Sequence, residues 1–222
     1  MAARRRPWLA WLPAVILSVV IVGVLVVAGV LLQGGLGKPT PKPTEGQVTD
    51  LNWSSFTETG LDYIRSSRDV RIDLSRPPVE AAAIGLDPDA TLVLERIDNL
   101  DVQLDYDLIL NGGGEAPGGL RLTASEIRIT TAGGLVTRVE ADLVDVLPFR
   151  QALDRFERES ATSGWTLDRD AIFAMVEEAT RAGEPYEVAV GPSDRLGLAL
   201  SATASCDTSG YCALTYSAAP VG

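Results

Sequence analysis

Apolar positions recur along this chain with three different spacings, and each spacing predicts a different kind of element. Strict alternation marks the middle. In residues 100–110, Val102, Leu104, Tyr106, Leu108 and Leu110 share one face, while Asp101, Gln103, Asp105 and Asp107 share the other. That is the pattern of a half-buried antiparallel strand. Val70, Ile72 and Leu74 predict a shorter strand before it, and residues 91–97 another. Leu120, Leu122 and Ala124 alternate, then Ile127 and Ile129 continue in the opposite phase, which predicts a bulge between them. Val139, Ala141 and Leu143 resume the alternation after the turn at Ala132-Gly133-Gly134. Five strands so spaced predict an antiparallel meander.

After Pro148 the period changes to that of a helix. Phe149, Ala152, Leu153 and Phe156 stand at i, i+3, i+4 and i+7. A second helix is predicted to open at Thr166, with Asp168 and Asp170 in its first turn, where the helix dipole favours carboxylates. Its stripe is Ile172, Met175, Val176 and Ala179, and Gly183 is its stop. Trp53, Phe56 and Tyr63 suggest a further helix over residues 50–66, before the meander. Strands are predicted again at 186–190, 196–204 and 211–216. The body from residue 50 to 222 therefore has an α+β fold, and its size suffices for one core.

The third pattern is an uninterrupted run. Residues 8–32 contain no charge, and at 1.5 Å per residue a helix of that length reaches about 37 Å, enough for a hydrocarbon core of about 30 Å. Trp8 and Trp11 lie at its start, beside Arg4, Arg5 and Arg6. Such an aromatic and basic flank predicts a single-pass transmembrane helix with a cytoplasmic tip (residues 1–7), which places the rest of the chain outside. A cleaved signal peptide is the rival, but its apolar region is about 7–15 residues and ends at a small-residue site, which this run lacks. Residues 33–49, with prolines at 39, 41 and 43, predict an extended stalk of about 3.1 Å per residue.

Charge follows the same division. Residues 1–49 carry a net charge of +4, leaving −15 on the remainder. A basic tip on an acidic body points to a bilayer and argues against nucleic acid, since no basic stripe is present. Cys206 and Cys212 are the only cysteines. They flank a turn-rich Asp207-Thr208-Ser209-Gly210, so an exported body pairs them across a β-hairpin.

Candidate chemistry is sparse. The chain has no histidine, and its two lysines, Lys38 and Lys42, both lie in the stalk. Ser-His and Cys-His nucleophiles, imidazole metal sites and Schiff bases in the body are thereby excluded. No phosphate-binding or nucleophile-elbow motif occurs. No catalytic, cofactor or metal residue is therefore assigned. Asp101, Asp105 and Asp107 form the one polar row of note, a candidate cation or partner face that reads more simply as a solvated strand face. Asn52-Trp53-Ser54 matches a glycosylation triplet of the kind chance supplies.

Arginine in place of lysine, with abundant alanine, valine and glycine, suggests a bacterial genome of high GC content. The order anchor, helix, meander, paired helices and late strands is loosely similar to the exported phospholipid-binding proteins of the actinobacterial LmeA-like family, a likeness of element order that no motif carries. The expectation is a non-catalytic, membrane-anchored cell-envelope protein. Its outer domain is expected to bind another envelope component; the alternatives are a lipid-binding carrier or sensor and, more remotely, a hydrolase working through two carboxylates.

Overall fold

A computed structural model describes residues 20–21, 42–44, 47, 53–99, 102–113 and 118–221. The chain divides into two units, Met1–Thr40 and Pro41–Gly222, and the fold that follows is that of the second. The expected span over residues 8–32 lies outside the described residues apart from Val20 and Ile21, which are helical. Among the described residues no helix is long and apolar enough to cross a membrane.

The body is a mixed α+β fold dominated by one sheet. In chain order it comprises helix α1 (Glu58–Ser67), strands β1 (Asp69–Asp73), β2 (Thr91–Glu95), β3 (Ile97–Asn99), β4 (Val102–Leu104), β5 (Tyr106–Asn111), β6 (Gly119–Ala132), β7 (Leu135–Leu143) and β8 (Leu147–Pro148), helices α2 (Phe149–Ser163) and α3 (Arg169–Ala182), and strands β9 (Tyr186–Ser193), β10 (Leu198–Cys206) and β11 (Tyr211–Pro220). The strand order is β1-β5-β6-β7-β11-β10-β9, with β2 joined to β6 and β8 to β11, while β3 and β4 make a separate small ladder.

Alternation puts one face of this sheet into the core. Opposed residues such as Leu108 and Leu122, Ile129 and Val139, and Ala141 and Tyr216 are buried in register from strand to strand. Helices α1 and α2 supply the second layer through Ile64, Ala152 and Phe156, which join the same hydrophobic cluster. The opposite face carries Arg128 among Glu126, Glu140 and Asp142, with Arg128 Nη2 at 2.7 Å from Asp142.

The elements differ from the sequence-based expectation in four places. The strand expected over residues 100–110 breaks at Asp105, where Arg96 Nε reaches the carboxylate at 2.9 Å and holds the foot of the β3–β4 ladder. The apolar phase runs unbroken across this point, so the sequence shows no sign of it. The five-strand meander reduces to β5-β6-β7: β1 runs parallel to β5, and β2 joins β6 rather than its sequence neighbours. Alternation encodes which face is buried, not strand direction or partner. The first helix starts at Glu58, because Thr57 caps it by accepting the Gly60 N–H, and Gly60 is required there since a Cβ would lie 2.0 Å from Ser55 O. The third helix starts three residues after Thr166, with Asp168 as its cap, accepting the Ala171 N–H at 3.1 Å.

Other expectations are met by the structure. The register of β6 against β7 shifts between Ala124 and Glu126, where the apolar phase changes. Ala152, Leu153 and Phe156 are buried on α2. The stripe of α3 faces the core but leaves no residue of that helix fully buried.

Candidate binding groove at the β9 edge

Among the described residues the main strand path ends on β1 and β9, while β2 and β8 are short strands also paired on one side only, and the structure treats the two path ends differently. On β1 the outward backbone of Arg71 is occupied. Its carbonyl accepts from the Ser54 N–H at 2.9 Å, and its N–H donates to Ser54 Oγ at 2.8 Å. One residue thus blunts that edge. On β9 no such cover exists among the described residues, where the strand pairs with β10 alone.

The direction of the free groups follows from the hairpin beside it. Asp207 N–H donates to Tyr211 O, which makes Cys206 and Cys212 the next, non-hydrogen-bonded pair between β10 and β11. Cys206, Ala204 and Ala202 therefore bond toward β9, to Tyr186, Val188 and Val190. The N–H and C=O groups of Glu187 and Ala189 are left pointing outward. Beyond them the edge is closed by a register shift and by Pro192, which has no N–H to offer.

Helix α3 supplies the second wall. Phe149 packs edge-on against both Phe173 of α3 and Tyr186, with centroids 5.9 and 5.8 Å apart, and so anchors the helix at the start of β9. Alongside the rest of the strand lies an open groove of about 290 Å³, lined by Leu167, Ile172 and Met175 on one side and by Glu187, Val188, Ala189 and Val190 on the other. Its charged lining residues are both acidic, Asp168 and Glu187. Asp168 Oδ1 is used in capping, and Glu187 Oε1 accepts from Ser205 Oγ at 3.0 Å. A second, solvent-open cleft of about 580 Å³ lies between Pro77, Pro78 and Val79, residues 135–137 at the start of β7, and Pro220 at the end of β11.

The residues singled out in the sequence fall elsewhere. Cys206 and Cys212 form the expected disulfide across the β10–β11 hairpin. Arg4, Arg5, Arg6 and Asp101 lie outside the described residues. Asp105 sits between strands with Arg96, whereas Asp107 lies on β5 with Arg121 at 3.4 Å and Thr123 at 3.3 Å. The structure thus places these two aspartates in separate arginine pairs. The sequence pattern marks none of the groove residues as a site. A usable signal was present: proline inside a strand-like run marks an edge strand, and Gly191-Pro192 closes the run 186–190.

Comparison with protein-family models, with curated proteins and with solved structures finds no match to this chain.

Proposed function

We propose that this chain is a membrane-tethered, non-catalytic protein of the bacterial cell envelope whose body binds another envelope component as a protein-interaction module. The observation that carries the reading is the unequal treatment of β1 and β9, the two ends of the main strand path. Exposed strand edges pair indiscriminately unless blunted, and this protein blunts β1 with Ser54 while, among the described residues, nothing pairs with the outer backbone of Glu187 and Ala189 beside an apolar groove. The uncharged run of residues 8–32, its arginine flank and the proline-rich stalk support a tether that presents the body outside the cell membrane.

The test is a photoreactive residue at Met175 in the full chain, expressed in its own host, with the same residue at exposed Arg138 as control. A discrete protein adduct is expected at Met175 and not at Arg138, and Glu187→Arg should abolish it. No adduct at Met175, or equal adducts at both positions, overturns the reading.

The 580 Å³ cleft at Pro77–Val79 favours a second reading, a lipid-binding carrier, because its volume lies in the ordinary range for small-molecule sites of about 300–1,000 Å³. Transfer of a labelled phospholipid between vesicles decides it. Acceleration by the full chain that is lost in Leu135→Asp establishes the carrier, and unaccelerated transfer removes it.

A further inference from the structure

We infer that the open edge of β9 takes up an extended peptide as an added strand, and that the peptide alternates apolar residues with lysine or arginine. The inference rests on the binding reading above and names the chemistry of the partner. Three observations converge on it. Backbone groups of Glu187 and Ala189 point outward from the edge, giving two donors and two acceptors that only another extended backbone matches in spacing. The groove beside them has apolar walls, Leu167, Ile172 and Met175 facing Val188 and Val190, so every second side chain of an added strand is directed into an apolar slot. Glu187 lies on the other face of the strand and Asp168 at the helix end, and among the described residues no basic residue lines the groove. A guest side chain on the outer face therefore meets a carboxylate, on a body that itself carries −15.

The length of the guest is bounded as well. Tyr186 is held under Phe149 at one end, and Pro192 with its register shift ends the usable edge at the other. Residues 186–190 leave space for a short strand, which suits a linear motif better than a whole domain edge.

The experiment uses the full chain in a neutral detergent and a fluorescent, end-blocked peptide of alternating lysine and valine, read by anisotropy. Two N-methylated isomers are compared, one methylated at every lysine and the other at every valine. Only one set of amide groups faces β9, so one isomer should bind like the parent and the other about tenfold more weakly or worse, as expected for the loss of two hydrogen bonds of about 1 kcal/mol each or slightly less. Ala189→Pro, which removes an N–H that the β9–β10 ladder does not use, should weaken the parent peptide by about fivefold. Glu187→Arg should weaken it with only a small change in melting temperature, since the one bond it gives up, to Ser205 Oγ, is exposed, and covers the case in which Ala189→Pro fails to fold. A peptide of alternating glutamate and valine should not bind.

Equal binding by both methylated isomers, or by the glutamate peptide, overturns the inference, as does the absence of parent binding up to about millimolar concentration. Such a failure leaves the photocrosslink at Met175 unaffected, so loss of the strand-addition mode is distinguishable from loss of the binding role itself.

Discussion

At Tyr216 a single hydroxyl joins helix α2 to the middle of the sheet. It donates to Glu159 Oε2 and accepts from Arg155 Nε at 3.1 Å, while Arg155 Nε also reaches Glu159 Oε1 at 2.9 Å. Burial pushes the phenol pKa well above its ordinary value, the adjacent Glu159 pushes it further, and Arg155 opposes. The sign of the linkage is that of a raised acid. Its contribution to stability is complete below about pH 10, where an unfolded tyrosine ionises, and is lost as pH rises toward the folded value. Tyr216→Phe removes a hydrogen bond to a charged group and should cost about 1.5–3 kcal/mol in urea unfolding. A variant as stable as the parent would show that the α2–sheet contact is held by packing alone. Asp207 shows the opposite shift. Its Oδ1 accepts from Ser209 Oγ at 2.7 Å, Ser209 N–H at 2.9 Å and Tyr211 N–H at 2.9 Å, and these bonds lower its pKa. The turn is therefore favoured above the ordinary aspartate range near pH 4 and loosens as pH falls through the lowered value. An NMR titration of the Asp207 carboxyl should give a midpoint below that of the unfolded chain, and an unshifted midpoint would remove these bonds from solution.

The elements divide by how locally they are specified. The hairpin that Asp207 organises is closed by Cys206 and Cys212 as a directly opposed pair. Both thiols and the turn between them stand within seven consecutive residues, so the whole device was legible in the sequence. Cys206→Ser and Cys212→Ser should lose the same stability, about 2–2.5 kcal/mol in the chain-entropy picture. Unequal losses would assign the cysteines separate roles. The bulge in β6 and the stripes of α2 and α3 were legible for the same reason, since each depends on neighbours a few positions away. The parallel β1–β5 pair was not, because 32 residues separate Asp73 from Tyr106 and nothing in an alternating pattern names a distant partner. The same holds for the contact that brings the end of β5 to the start of β10. Gly113 N–H donates to Gly197 O at 3.2 Å, and a Cβ on Gly197, at φ +68°, would lie 1.5 Å from Gly113 O. Gly197→Ala should lose at least about 1–3 kcal/mol from backbone strain, with the clash in addition. The groove was half legible. Pro192 signals an edge strand, but the position of Met175 against Val188 depends on how α3 crosses β9. For the acidic row, the alternation showed the residue types but not the arginines that pair with them across the chain. With Arg96 on Asp105 and Arg121 on Asp107, millimolar calcium should shift the melting temperature by less than about 2 °C, against roughly 5 °C for a ligand present at about 100 times its Kd.

For the whole molecule, the division of charge makes the strongest claim. A tip with three consecutive arginines precedes 25 uncharged residues, and the body beyond carries −15. Basic residues beside a membrane span are retained in the cytoplasm, whereas acidic residues contribute little to orientation, so the proposed tether assigns its direction to the arginines rather than to the body. The same proposal is consistent with the Cys206–Cys212 bond, since disulfides persist in oxidising compartments and are rare in the cytosol. A reporter active only outside the cytoplasm should therefore function when fused after Gly222, and replacing Arg4, Arg5 and Arg6 with glutamate should weaken that orientation without altering the body. The pairing of Cys206 with Cys212 provides an independent readout in the same cells. In the correctly oriented chain neither thiol should react with a membrane-permeant alkylating reagent, whereas the fraction misoriented by the glutamates should become labelled at both cysteines. A native chain whose fused reporter is silent, and whose two thiols label in full, would place the body in the cytoplasm and remove both the envelope partner and the tether from the proposal.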